Sequence, residues 1–379
     1  MKKFNTGLYV GKFVAYHKGH QNCINTFSKL CDNLKVVLCT KPSDRIVGPI
    51  RKKWLENDLI SNVNYDIIHP NKINLFHLVE DNIPLYPIGL VEWCNAISNL
   101  VGDKIDVMFG NEDYVIDCAK VFNCEYLVPD MERTHINVSS TKILDSKLKY
   151  YDYISKVGQP HFNKVVSIVG AENTGKTTLI KELSEKLGGI YIEEHGRNYF
   201  ENEIIKSGVH GLNNWTIEQF ENECVYFDNL IKEKLKKPIK LLFIDNSALL
   251  NESYSNMYLR QSTKLMKQLI NKQQFDVIDK TIFLSNKYEY NDNINTVHYS
   301  NKFKKSTIVS ENVDQSNESN NSDKKNINLN KKVDSTFIND YLKYSLDFYN
   351  VNYKEFDLTQ GYESRNQNII NYLKEEYLI

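Results

Sequence analysis

Gly11-Lys12-Phe13-Val14-Ala15-Tyr16-His17-Lys18-Gly19-His20 decides the fold of the first half of this 379-residue chain. The apolar run Thr6-Gly7-Leu8-Tyr9-Val10 leads into it as a buried strand that ends at a glycine turn. Behind it, Cys23, Ile24, Phe27 and Leu30 recur at helical spacing, which predicts a helix with one apolar face against a sheet. His17 and His20 therefore stand where a strand's end meets a helix's first turn. Unpaired backbone N–H groups and the helix dipole favour an anion there, and Gly19 allows backbone to approach it. Two histidines so close in sequence also suit a plain surface or a satisfied core, so the tetrapeptide needs its context.

The next apolar runs extend the pattern. Lys35-Val36-Val37-Leu38-Cys39-Thr40 and Ile105-Asp106-Val107-Met108-Phe109 read as further buried strands, and strand, helix, strand predicts a parallel sheet. Its ligands belong at the strands' carboxyl ends. Arg51 opens a helix and suits a phosphate contact or a solvated face equally. His77 to Pro87, carrying Glu80, Asp81 and two prolines, reads as a rigid loop, and Trp93 follows it as either a stacking platform or a core residue. Ser139-Ser140-Thr141-Lys142 places hydroxyls at a helix start, where they serve as caps or, with the lysine one turn in, as an anion site.

Together these segments resemble the nicotinamide-nucleotide adenylyltransferase domain of bifunctional NadR-like proteins, within the nucleotidyltransferases that carry Gly-x-Phe-x-Pro-x-His-x-Gly-His. Ala15 stands in the usual proline position and Leu144 where a basic residue often follows the second loop. The resemblance implies a site for ATP made by Gly11, Phe13, Gly19, Ser139, Thr141 and Lys142, with His17, His20 and Lys12 as catalytic groups. It likewise implies that Trp93, Glu80, Asp81 and Arg51 receive nicotinamide mononucleotide, and that ATP and the mononucleotide yield NAD and pyrophosphate.

Beyond a linker at Lys156 to Pro160 the pattern restarts. Val165-Val166-Ser167-Ile168-Val169 leads into Gly170-Ala171-Glu172-Asn173-Thr174-Gly175-Lys176-Thr177-Thr178, a complete Walker A loop between an apolar strand and a helix. Gly170, Glu172, Asn173, Thr174, Gly175 and Thr178 shape the phosphate cradle, Lys176 reaches the β- and γ-phosphates, and Thr177 is placed for Mg²⁺. Leu241-Leu242-Phe243-Ile244-Asp245 has the form of a Walker B strand, so Asp245 binds the metal or takes a proton from an attacking hydroxyl. Glu194 and Arg197 sit at a strand's end, as riboside ligands or as a surface ion pair. The NadR-like resemblance continues through Glu194 to Arg197 and Gly361 to Arg365, and implies a ribosylnicotinamide kinase. It weakens at Asn246-Ser247, where the family commonly has Thr-Asp, and at Glu289 to Thr296, which lacks a lid arginine.

The balance of 47 basic and 48 acidic residues leaves a net charge of −1, which argues against nucleic acid and anionic membrane as partners. No apolar run approaches a bilayer span, and no apolar signal segment leads the chain, so a cytoplasmic protein is expected. The seven cysteines form no C-x-x-C pair and read as reduced structural residues. The expectation is an α/β chain of two parallel-sheet domains. Residues 1–157 form a Rossmann-like nucleotidyltransferase fold, and 163–379 a P-loop kinase fold with a polar insertion at 300–335. Mg²⁺ is the expected cofactor, ATP the co-substrate, and nicotinamide mononucleotide, nicotinamide riboside and NAD the small-molecule partners. A homo-oligomer is compatible with all of this. Two rivals remain, an adenylyltransferase with an inert nucleotide-sensing P-loop domain and an NAD-responsive regulatory binder. With the signature beginning at Gly11, no helix-turn-helix is expected before it.

Overall fold

The computed structural model describes residues 4–61, 73–130, 132, 134, 136–146, 148–194, 215–285 and 335–379. Arg197, the arginine-free lid segment and the insertion 300–335, except for its last residue, fall outside them. The chain divides into two compact units, Met1–Asn163 with Glu375–Ile379, and Lys164–Lys374.

The first unit is built on a five-stranded sheet in the order β3-β2-β1-β4-β5, with every pairing parallel. Its strands are β1 (Phe4–Gly11), β2 (Cys31–Thr40), β3 (Ile73–Val79), β4 (Val107–Phe109) and β5 (Glu125–Leu127). Alternation divides their side chains between two cores. Tyr9, Val36 and Leu38 pack with Ile24 and Phe27 of α1 (Lys18–Leu30) and Trp54 and Leu55 of α2 (Gly48–Ser61). Leu8, Val10, Val37 and Cys39 pack with Cys94 and Ile97 of α3 (Leu90–Val101) and Cys118 of α4 (Tyr114–Phe122). Both faces of the central strands β1, β2 and β4 are packed, and each fully buried large apolar side chain contributes about 1.5–3 kcal/mol. A short α5 (Ser140–Asp145) follows.

Two expectations change here. His77, Leu78 and Val79 belong to β3 rather than to a loop, because they pair in register with Leu38, Cys39 and Thr40. The segment expected as a linker instead folds onto the first unit. Val157 and Phe162 pack on its core, and the His161 and Phe162 rings lie 5.0 and 6.2 Å from that of Trp54.

The second unit has strands β6 (Lys164–Gly170), β7 (Ile190–Ile192), β8 (Leu241–Ile244), β9 (Lys280–Ser285) and β10 (Tyr353–Asp357), in the parallel order β10-β9-β6-β8-β7. Helix α6 (Lys176–Leu187) follows the Walker A loop, and α7 (Ile217–Leu235) leads to β8. Helix α8 (Ala248–Leu259) is enclosed along Ala248 to Ser255, polar side chains included. It is followed by α9 (Lys264–Lys272), α10 (Ser335–Phe348) and α11 (Gly361–Tyr377). In both sheets the chain turns to opposite sides of a central strand, β1 or β6, so a crevice opens at that strand's carboxyl end.

Candidate active sites

In the first unit the crevice is a cavity of about 1130 Å³ at the carboxyl ends of the strands. Its floor is the turn after β1. His17 is the N-cap of α1, its Nδ1 accepting the Gly19 N–H at 3.1 Å, while the His17 N–H reaches Nδ1 of His20 at 3.4 Å. A neutral imidazole that accepts at Nδ1 carries its proton on Nε2, so both rings are held as Nε2–H donors. The rings stack with centroids 3.8 Å apart, and Phe13 supports His20 edge-on at 4.9 Å. Gly19 is needed for this approach, since a Cβ there would lie 2.8 Å from Cε1 of His17.

Charge around the cavity follows strand order. Lys12 and Lys41, just past the ends of β1 and β2, line it, and carboxylates flank them at Glu80 after β3 and at Glu112 and Asp113 after β4. Trp93, in the first turn of α3, donates Nε1–H to Glu80 Oε1 at 2.6 Å and meets the Tyr114 ring edge-on at 6.0 Å. Tyr114 is anchored in turn by its hydroxyl on the Val10 carbonyl at 3.1 Å. Burial, reinforced by Glu80, pushes the Cys39 thiol well above its ordinary range, so it stays protonated on the cavity wall. Asn111 also lines the cavity, its amide giving one N–H to Cys23 Sγ at 3.5 Å while the carbonyl oxygen is buried without a protein partner. That oxygen is an acceptor suited to a ligand N–H or O–H. Opposite, Ser139 caps α5 by accepting the Lys142 N–H at 3.1 Å, and both Ser139 and Thr141 line the cavity.

The structure thus brings Gly11, Lys12, Phe13, His17, Gly19, His20, Glu80, Trp93, Ser139 and Thr141 to one cavity. Three expected members are not among its lining residues. Arg51 is fully buried on Asp44 and the Lys12 carbonyl. Lys142 is exposed with its ammonium on the Asn137 side chain, and Asp81 lies on the exposed turn after β3. Lys41, Asn111, Glu112 and Tyr114 carry no role on the reading of the sequence, although Asn111 to Tyr114 stand out there as a polar group at a strand's carboxyl end. Their signal was position, since each stands within a few residues of a strand's carboxyl end.

In the second unit, the loop between β6 and α6 turns through left-handed backbone at Asn173 (φ 62°) and Gly175 (φ 84°). Thr174, wholly buried, bonds the Ala171 carbonyl at 2.8 Å, and Lys176 Nζ shares that carbonyl at 3.1 Å. The Thr177 hydroxyl donates to Asp245 Oδ2. Asp245 is fully buried, and burial pushes its carboxyl up to about 7 against the pull of Lys176 and Thr177, with Glu194 and Glu193 adding to the rise. Its Oδ1 has no protein partner. Glu172 on the loop is partly exposed, and Thr178, in the first turn of α6, is exposed.

Helix α11 buttresses this loop. Arg365, 2% exposed, donates Nη1–H to the Thr174 carbonyl at 2.8 Å, and Tyr362 its hydroxyl to the Asn173 carbonyl at 3.1 Å. Ser247, in the place where the family commonly has Asp, caps α8 by accepting the Leu250 N–H at 3.4 Å, and Asn246 before it is consumed locally. Its Oδ1 takes the Ser247 N–H at 2.6 Å and its amide donates to Asn251 at 3.2 Å. Among the described residues, no group of three or more His, Cys, Asp or Glu is arranged to hold a metal ion, and no helix is long and apolar enough to cross a membrane. The orphaned Asp245 Oδ1 beside the Thr177 hydroxyl nonetheless suits a divalent cation whose remaining ligands are water and phosphate.

Comparison with known proteins agrees with this architecture. A family model described as an AAA domain matches residues 165–315. The trifunctional NAD biosynthesis/regulator protein NadR of Escherichia coli is 22% identical over 73% of this chain and 68% of its own length. The protein of the same name from Salmonella typhimurium is 22% identical over 72% of this chain and 68% of its own. A crystal structure of a NadR protein in complex with NR superposes with a TM-score of 0.66 at 18% identity, covering 99% of this chain and 96% of that one. Another, in complex with NAD and AMP-PNP, gives 0.65 at 19% identity, over 100% and 98%. The chain is therefore a distant homologue of NadR proteins, 18% to 22% identical to those compared, and shares their architecture of two parallel α/β domains.

Proposed function

We propose that this chain is a two-site enzyme of NAD salvage. The first unit joins ATP and nicotinamide mononucleotide into NAD, and the second makes the mononucleotide from nicotinamide riboside and ATP. The observation that carries the reading is the stacked pair His17 and His20, each tied at Nδ1 by a backbone N–H and so held as an Nε2–H donor in a cavity that also presents Lys12 and Lys41. Such fixed donors suit charge that develops on a phosphoryl group during transfer.

The mononucleotide's phosphate oxygen attacks the α-phosphorus of ATP in line; the new P–O bond forms as the bond to the β-phosphate oxygen breaks, and pyrophosphate leaves. The two imidazoles donate to phosphate oxygens, and Lys12 and Lys41 offset the charge of the departing pyrophosphate. Trp93 supplies a flat face, and Glu80, held by the Trp93 N–H, supplies a negative charge beside it. Both favour a cationic pyridinium ring.

In the second unit Lys176 offsets charge on the β- and γ-phosphates, and Asp245 and Thr177 would hold Mg²⁺. The cation, when bound, neutralises the polyphosphate. As an alternative to holding the cation, Asp245, with Oδ1 unpartnered, would orient the riboside hydroxyl and take its proton.

Incubation with nicotinamide riboside, ATP and Mg²⁺, with a parallel incubation on the mononucleotide, tests the reading by chromatography of both products. NAD is expected from both. NAD from the mononucleotide alone would remove the kinase half, and NAD from neither would refute the whole.

A further inference from the structure

Arg51 heads the fully buried side chains by volume, which is an unusual place for a cation. An enclosed guanidinium costs several kcal/mol unless it is paired and hydrogen-bonded. Its partners are specific. Asp44 carries the opposing charge, and the Lys12 carbonyl accepts Nη1–H at 2.6 Å. Asp44 Oδ2 also accepts the Lys41 N–H at 2.7 Å, and the Asp44 N–H returns a bond to the Lys41 carbonyl at 3.1 Å. Burial works to raise the Asp44 carboxyl, but the Lys41 amide and the Arg51 guanidinium outweigh it and hold the group ionised.

One side chain on α2 thereby grips both loops that leave β1 and β2. The peptide whose carbonyl it holds joins Lys12 to Phe13, and Phe13 sits in the left-handed region at φ 46°. For a residue with a side chain that conformation costs roughly 1–2 kcal/mol, so it persists only where neighbours fix it. Lys12 and Lys41 are the lysines that line the cavity, one on each gripped loop.

We propose that Arg51 and Asp44 form a positioning clamp that sets Lys12 and Lys41 against the phosphates of the nucleotide. This rests on the adenylyltransferase reading of the cavity. Arg51 does not touch substrate; it acts through the backbone of the two lysines.

The test uses the full chain carrying Lys176→Ala, so that nucleotide binding reports on the first unit. NAD formation from the mononucleotide and ATP binding by calorimetry are measured for Arg51→Met, Arg51→Lys and Asp44→Asn. A displacement of about 1 Å at a reacting group can cost about 100-fold. Arg51→Met is therefore expected to lower kcat about 100-fold and weaken ATP about tenfold, with KM for the mononucleotide changed less than about threefold. Arg51→Lys, which keeps the charge and a donor, should recover activity to within about tenfold of the parent. In a Lys12→Ala/Lys41→Ala background Arg51→Met should change ATP binding less than about threefold, because the groups it positions are gone.

Equal losses with and without the lysines would overturn the clamp in favour of general scaffolding, and an unaffected Arg51→Met would overturn it outright. If Arg51→Met does not fold, Asp44→Asn is read by the same comparison. If the parent binds ATP but forms no NAD, the adenylyltransferase reading fails, and the ATP-binding comparison alone decides the clamp.

Discussion

Replacing Gly19 with alanine isolates the geometry of the imidazole pair. The new Cβ would stand 2.8 Å from Cε1 and 2.9 Å from Nδ1 of His17, whereas carbon contacts settle at about 3.5–4.0 Å. The ring must retreat by roughly 0.7 Å. It cannot do so freely, since it is only 5% exposed and stacks on His20 with centroids 3.8 Å apart. The N-cap bond from the Gly19 N–H is then lost, which costs about 0.5–2 kcal/mol, and alanine's better helix propensity returns about 0.5–1 kcal/mol. The net change in stability should stay within about 1.5 kcal/mol. Activity should respond far more, because shifting a transition-state donor by most of an ångström costs on the order of 50- to 100-fold. The assay pairs urea denaturation with the rate of NAD formation from nicotinamide mononucleotide. A variant that folds and retains activity within about threefold would refute the assignment of the histidine pair to phosphoryl transfer. A stability loss of several kcal/mol would refute the packing account instead.

Three further outcomes are expected. Burial raises Asp245 from 3.8 to about 7 in the fold, so its contribution is fully present below 3.8, falls as pH rises from there, and is gone above about 7. In chelator, the stability advantage of Asp245→Asn over the parent should therefore grow by about 2–3 kcal/mol between pH 5 and pH 8 in urea titrations, and a pH-independent difference would contradict the buried charge. Glu80→Gln keeps an acceptor for the Trp93 N–H but removes the charge, so KM for the mononucleotide should rise about tenfold with little change in melting temperature; an unchanged KM would show that the ring does not bind there. Arg365→Met leaves the Thr174 carbonyl without its buried donor, which should cost about 1–3 kcal/mol and raise KM for ATP in riboside phosphorylation. A melting temperature equal to the parent's would show that α11 does not hold the loop.

What the sequence determined by itself is local. Apolar runs ending at glycine located β1 and β6 to within a few residues, and the His-x-Gly-His and Walker A spacings marked the turns behind those strands, because a strand end, a tight turn and a helix start are encoded within ten residues. Tertiary structure decided what depends on partners distant in the chain. His77 to Val79, the end of β3, read as loop because they adopt strand geometry only by pairing with Leu38 to Thr40. Segment 156–160 read as linker because Val157 finds its apolar partners only in a core built from residues far back in the chain. Arg51 read equally as a phosphate contact or a solvated face, since nothing near it in sequence announces Asp44 and the Lys12 carbonyl as partners that bury its charge. Ser247 stood where an acid was missing, and the fold uses it to cap α8 while Asn246 is committed to the Ser247 N–H and to Asn251. Residue type fixes what chemistry a side chain can do, but the desolvation and hydrogen bonds that decide whether it faces ligand or core are set only when the sheet assembles.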